Sequence, residues 1–121
     1  YLEQQNAGYW TWFETAIGSP ETPIRERVEG LFGALEGQIA AAGCRGCPFL
    51  NAVAELPDTD HPGHRVAAEH KRELRRRLRA LAAEAGARDP DGLAGQLAVL
   101  VNGAYATAAT LGSAAPAAEA A

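Results

Sequence analysis

The chain has 121 residues, of which 47% are hydrophobic and 21% are charged, and its formal net charge at pH 7 is −4. These values are typical of one globular domain and exclude disorder over most of the length. No apolar run reaches the roughly eighteen residues that cross a bilayer and no signal peptide is evident, so we expect no membrane association and a cytoplasmic location. The acidic total disfavours nucleic-acid binding by this chain alone.

The first predicted helix is rich in aromatic residues. Its apolar side chains recur at helical spacing up to Gly18, and they are Leu2, Tyr9, Phe13, Ala16 and Ile17, with Trp10 and Trp12 beside them. Such a cluster is typical of a plain core or of the wall of a cavity for an apolar molecule. The chain has no methionine and begins within this pattern, which indicates a piece of a longer protein.

A second amphipathic helix is predicted from the pair Thr22-Pro23, a cap and a first-turn proline, up to Gly43. Three glycines form a separate stripe along it, which indicates either close packing of another backbone or a tolerant surface: Gly30, Gly33 and Gly37. Gly43 can end this helix in the left-handed conformation. Pro48 then suits the first turn of a short helix that Leu56-Pro57 stops.

Two longer helices complete the predicted pattern. The first is capped by Asp60 or His61 and carries six of the eleven basic residues on its solvent side. Its predicted apolar stripe is Val66, His70, Leu74, Leu78, Leu81 and Ala85. His70 is a core residue or a pocket residue in this pattern. The second helix starts at Asp89-Pro90, and its predicted main stripe is Leu93, Leu97, Leu100, Val101, Ala104, Ala108 and Leu111. The alanine-rich tail after Gly112 could begin a further helix.

The cysteine pair Cys44-x-x-Cys47 leaves three hypotheses open. The spacing suits a redox dithiol at a helix N-terminus. The two cysteines with His61 and His64 also stand in nearly the order of zinc-finger ligands. The third hypothesis, two small apolar residues at a helix junction, is the one we prefer, so we expect no cofactor and no metal. No phosphate-binding loop or nucleophile motif is present, so we do not expect an enzyme.

The order of these features resembles the C-terminal ligand-binding and dimerisation domain of TetR-family transcriptional regulators. The runs that carry the resemblance are GCRGCPFLNAVAELPDTDHP, from Gly43 to Pro62, and GARDPDGLAGQL, from Gly86 to Leu97. The resemblance implies one all-α domain over residues 1–121, a bundle of about five to six helices. It also implies an N-terminal helix-turn-helix domain, absent from this chain, through which the full-length regulator would bind DNA. We expect that regulator to be a repressor.

The resemblance further implies a small apolar or aromatic effector and a homodimer. By position on the helices, the expected ligand-binding residues are Trp10, Phe13, Phe49, His70, Leu74 and Asn102, with Cys44 and Cys47 near the rim. The dimer interface is expected on a stripe of mostly small residues on the last helix, where helices can approach closely: Gly95, Val99, Gly103, Ala106 and Thr110. The alternative function is a helical CxxC protein that uses its cysteines for redox chemistry or, with His61 and His64, for zinc.

Overall fold

Proline and glycine decide where the helices begin and end. The computed structural model describes residues 2–56 and 58–114, and these ranges contain five α-helices: α1 (Leu2–Ile17), α2 (Ile24–Ala41), α3 (Pro48–Glu55), α4 (Pro62–Glu84) and α5 (Pro90–Leu111). No strand occurs in those ranges, and the predicted all-α class is confirmed. Tyr1, the side chain of Leu2 and the tail after Ala114 lie outside the described residues. No helix of the described part is long and apolar enough to span a bilayer.

The helix starts follow the predicted chemistry with one exception. The ring Nδ1 of His61 accepts a hydrogen bond from the backbone N–H of Gly63 at 3.0 Å, and Asp89 accepts one from Gly92 at 3.1 Å, so both residues cap the helices that follow them. The predicted cap at Thr22 is wrong. The N–H of Arg27 donates to the carbonyl of Pro23, which places Pro23 itself at the cap position, without a side-chain cap.

Helix α4 lies at the centre of the domain, where it packs against α1, α3 and α5. Its predicted apolar stripe is largely confirmed, because His70, Leu74 and Leu78 are at most 1% exposed. Phe13 of α1, Phe32 and Leu35 of α2, and Phe49 of α3 fill the core around this stripe. Since each helix contributes at least one large side chain, the core fixes the positions of all the helices that border the cavity described below.

The predicted main stripe of α5 is wrong at two positions. Leu100 is 44% exposed and Leu111 is 67% exposed, whereas the small residues Ala94, Ala104 and Ala108 are buried together with Val101 and Tyr105. Small side chains let α5 approach α4 closely, and this turns the bulkier leucines away from the core. The result is a helix whose apolar residues lie on two sides, one packed and one exposed.

The glycines of α2 divide between the two explanations offered by the sequence. A β-carbon at Gly30 would lie 3.1 Å from the backbone oxygen of Ala16, so α1 packs closely at this point. At Gly33 and Gly37 a β-carbon would meet no atom within 4 Å. The stripe therefore contains one close approach between helices and two positions on open surface.

Candidate ligand-binding site

A cavity of about 600 Å³ lies between the first half of α1, the end of α2 and the start of α3, and Tyr105 of α5 also borders it. Its volume is in the range of sites that hold small organic molecules. The described residues that line it are Gln4, Gln5, Gly8, Tyr9, Gln38, Ala42, Arg45, Gly46, Cys47, Pro48, Phe49, Asn51 and Tyr105. Carboxamide, guanidinium and phenol groups thus share the wall with aromatic rings.

The segment between α2 and α3 forms one wall of this cavity. The N–H of Cys44 donates to the carbonyl of Ile39, and the N–H of Gly43 donates to the carbonyl of Ala40, both at 3.0 Å. These two bonds are the glycine-terminated helix end that the sequence predicts, with Gly43 at a φ of +74°. Cys44 follows with a φ of +56°, which is uncommon for a residue with a β-carbon.

Two side chains hold the far end of this segment. The side-chain amide of Asn51 donates to the carbonyl of Arg45 at 3.1 Å, which ties the segment to α3. Pro48 occupies the first position of α3, so the chain turns into the helix directly after Cys47. The segment is thereby fixed at both ends, and its residues from Arg45 to Cys47 line the cavity.

The aromatic side of the cavity is backed by His70. The rings of Phe49 and His70 are parallel within 6°, with centroids 3.7 Å apart, and Tyr9 meets the same imidazole edge-on at 4.5 Å. Trp10 covers a further side of the imidazole at 4.8 Å. Because Tyr9 and Phe49 line the cavity and His70 lies against both, the imidazole fixes the orientation of the aromatic wall.

The histidine is neutral in this environment. Burial, followed by the nearby positive charge of Lys71, lowers the pKa of His70 to about 3. Its Nδ1 lies 2.8 Å from Oδ1 of Asn6, and with the proton on Nδ1 the ring donates to that oxygen. The other ring nitrogen, Nε2, is buried without a hydrogen-bond partner among the described residues. His70 is therefore predominantly a packing element of the wall.

The polar side of the cavity is connected to a semi-buried lysine. The hydroxyl of Tyr105 donates to the side-chain oxygen of Gln38, and burial raises the pKa of this phenol, as it does that of Tyr9. The Nζ of Lys71 donates to Oδ1 of Asn102 at 2.7 Å and lies 3.5 Å from the sulfur of Cys47. It also lies 5.9 Å from the centre of the Tyr105 ring. Burial lowers the pKa of this ammonium group.

The predicted pocket residues fall into four groups. Phe49 lines the cavity, and Trp10 and His70 lie in contact behind its aromatic wall. Phe13 and Leu74 are wholly buried in the core, and Asn102 is the hydrogen-bond partner of Lys71. Of the two cysteines expected near the rim, Cys47 is a lining residue. A part for any of these residues in ligand binding stays a prediction.

Sequence reasoning missed most of the polar wall. Gln4, Gln5 and Gln38 lie outside the apolar stripes and read as solvent-facing residues, and Arg45 reads as part of a turn. Tyr105 gives no pocket signal in the sequence because it is a single aromatic residue among alanines. The signal that was available is the pair of left-handed glycines, Gly43 and Gly46, which hold the intervening residues in a tight turn.

The two cysteines do not form part of a metal centre in the described part of the chain. Among residues 2–56 and 58–114 no group of three or more histidine, cysteine, aspartate or glutamate side chains is arranged to hold a metal ion. The potential ligands Cys44, Cys47, His61 and His64 are therefore not brought together. Both thiols are free, with Cys47 buried and Cys44 partly exposed.

The predicted interface stripe on α5 is accessible along most of its length. Val99 is 69% exposed, and Gly103, Ala106 and Thr110 are exposed as well. Gly95 is partly covered, because the guanidinium of Arg75 lies 3.4 Å from the place of its β-carbon. Together with Leu100, these residues leave an apolar helix face uncovered in the single chain.

Fold and cavity together define the class of this protein as an all-α domain with a cavity beside its first helix. Residues 24–121 match the family model described as "Tetracyclin repressor-like, C-terminal domain". The chain belongs to this family.

A solved structure agrees with this membership. It is that of a candidate TetR transcriptional regulator from Streptomyces avermitilis, 33% identical in sequence, with a TM-score of 0.77. The similarity covers 93% of this chain and 61% of that protein, so the chain spans less than two thirds of its length. No curated protein matches the chain.

Proposed function

We propose that this chain is the effector-binding and homodimerisation domain of a TetR-like transcriptional repressor. The observation that carries the proposal is the cavity of about 600 Å³ whose wall includes four residues of α1: Gln4, Gln5, Gly8 and Tyr9. The effector would modulate operator binding by a helix-turn-helix domain elsewhere in the full-length protein. The full-length protein would act in the cytoplasm. The domain itself would have no catalytic part.

The attachment of α1 supports a mechanism for such modulation. The second half of α1 is held by two arginines: Arg27 donates to the carbonyl of Ile17, and Arg77 pairs with Glu14 and lies over the ring of Trp10. The first half instead faces the cavity. A molecule in the cavity would therefore act on the half of α1 that these two arginines do not hold. It would shift the population of helix orientations and, through them, the spacing of the two DNA-reading domains.

The exposed face of α5 supports the dimer. An uncovered apolar helix face with small residues fits a second copy of the same helix across a two-fold axis. Val99, Gly103, Ala106 and Thr110 would lie at the centre of this contact. Leu100 and Leu111, both exposed in the single chain, would add apolar area at its sides.

Gly8 offers a direct test of effector binding. This glycine lines the cavity, and a β-carbon there would meet no atom within 4 Å, so Gly8→Leu adds a side chain at the cavity wall and its β-carbon has room. Gly33→Leu is the matched control, since a β-carbon there is equally free of contacts and Gly33 is not among the described residues that line the cavity.

The experiment is a thermal-shift screen of small aromatic and apolar compounds. We expect at least one compound to raise the melting temperature of the unchanged chain and of Gly33→Leu but not that of Gly8→Leu. A screen in which every stabilising compound acts equally on Gly8→Leu would show that the cavity is not the effector site.

A further inference from the structure

We propose that the effector is an aromatic carboxylic acid, bound as its anion with the carboxylate on Arg45. This inference rests on the proposed effector-binding function and specifies the chemical class of the molecule that the cavity takes. Three features carry it: the charge of the lining residues, the lack of carboxylate partners for two cations, and the aromatic surfaces at one side of the cavity.

The cavity wall is positively charged although the chain as a whole is acidic. Arg45 is a lining residue, and no aspartate or glutamate is among the described residues that line the cavity. The net charge of the whole chain is −4. A local excess of positive charge in a concave site attracts anions even on an acidic protein, because the low-dielectric wall concentrates the field there.

Two cations at this site lack an internal counter-ion. The ion pairs of the described residues all involve other arginines, among them Arg25, Arg27 and Arg75. Neither Arg45 nor Lys71 has a carboxylate partner in the described part of the chain. Lys71 lies directly behind the wall, with its ammonium group against Cys47 and the ring of Tyr105, which both line the cavity. An anion in the cavity would supply the missing negative charge.

The remaining wall selects a planar organic acid over a bare inorganic anion. Phe49 and Tyr9 border the cavity with only 2% and 8% of their surface exposed, and the buried imidazole of His70 fixes their orientation. A planar ring would contact the part of these side chains that borders the cavity, while its carboxylate pairs with the guanidinium in the geometry that arginine favours. The side-chain amides of Gln4, Gln5 and Gln38 can receive further polar groups of the molecule.

The test compares 2-naphthoate with 2-naphthamide, which share shape and size but differ in charge. Binding of each compound to the chain is measured by isothermal titration calorimetry at low salt. We expect the carboxylate to bind at least about tenfold more tightly than the amide, in keeping with the strength of charge-assisted hydrogen bonds. The preference should decrease as the salt concentration is raised.

Two variants test whether Arg45 causes the preference for the carboxylate over the amide. Arg45→Gln should remove the preference for 2-naphthoate and leave the affinity for 2-naphthamide unchanged. Arg88→Gln, at an exposed arginine between α4 and α5, should retain both affinities. Arg45 is itself exposed, so its replacement leaves the core intact.

The results that would overturn the aromatic acid differ from those that would overturn the effector-binding function. Equal affinity for the two compounds, or a preference that survives in Arg45→Gln, overturns the anionic class while ligand binding in the cavity stands. If neither compound binds, the proposal of an aromatic carboxylic acid as effector is also overturned. The effector-binding function is judged separately, by the compound screen on Gly8→Leu.

Discussion

The side chain of Arg27 holds the end of α1, because its Nε donates to the carbonyl oxygen of Ile17, the last residue of that helix, at 3.0 Å. The same guanidinium pairs with Glu84 near the end of α4. Arg27 is 6% exposed, so one buried cation connects the ends of three helices. This contact fixes the part of α1 that lies farthest from the cavity.

Replacing Arg27 with methionine should destabilise the domain by about 2–4 kcal/mol, because the carbonyl of Ile17 loses its charged donor and Glu84 loses its partner. Urea denaturation measures this change. Arg25→Met, which removes an exposed pair with Glu29, should cost less than about 0.5 kcal/mol. Equal effects of the two variants would contradict a special structural part for Arg27.

The burial of His70 predicts a pH dependence of stability. Its pKa is about 3 in the folded domain and about 6.5 in an unfolded chain, so only the unfolded state takes up a proton between these values. Stability should therefore be at its full value above pH 6.5 and fall below it, by up to about 1.4 kcal/mol per pH unit.

Unfolding free energies measured between pH 6.5 and 5 isolate this effect from the titration of carboxylates. His70→Phe keeps a flat ring against Phe49 and should abolish the slope in this interval. His64→Gln, on the surface cleft at the start of α4, should preserve it. If His70→Phe keeps the slope of the unchanged domain, another group is responsible.

Substitution of Gly103 by leucine should weaken the proposed dimer and leave the fold of the single chain intact. A β-carbon at this exposed position meets no atom within 4 Å in the monomer, and leucine favours helix over glycine. In a close helix-helix contact the same side chain would overpack, at about 1–3 kcal/mol. We expect the dimer dissociation constant to rise about tenfold or more in sedimentation velocity.

Gly37→Leu is the control for that experiment, since it makes the same change at an open position on α2. This variant should leave the dimer unaffected. A dimer of unchanged strength in Gly103→Leu would place the subunit contact on another surface.

The two thiols should react with alkylating reagents at very different rates. Cys47 is 2% exposed and Cys44 is partly exposed, and a thiol must be accessible to react. We expect iodoacetamide to label Cys44 at least about tenfold faster than Cys47. In Cys44→Ser only the slow reaction should remain. Rapid joint modification, or a disulfide that forms readily in peroxide, would favour the redox alternative.

Much of the fold could be predicted because the ends and the buried faces of the helices depend on residues close together in the sequence. Pro48, Pro62 and Pro90 each stand at the first position of a helix, and Gly43 ends one in the left-handed conformation. The stripe through His70, Leu74 and Leu78 has the helical period and is buried accordingly. Such signals depend only on a few neighbouring residues, so the sequence displays them directly.

The cavity could not be predicted in the same detail because it depends on how helices are rotated against one another. Asn102 and Tyr105 lie about one sixth of a turn apart on α5, and this small rotation decides which of them borders the cavity. The burial of Arg27 was equally hidden, since its partners lie 10 and 57 residues away. Only tertiary packing brings these groups together.

The position of Trp10 gives the domain an optical reporter. This indole stacks on His70 and lies 4.4 Å from the guanidinium carbon of Arg77, so its surroundings join α1 to α4. Both tryptophans of the chain are on α1. Intrinsic fluorescence therefore follows the helix that borders the cavity, and a molecule that displaces this helix would change the emission without any attached dye.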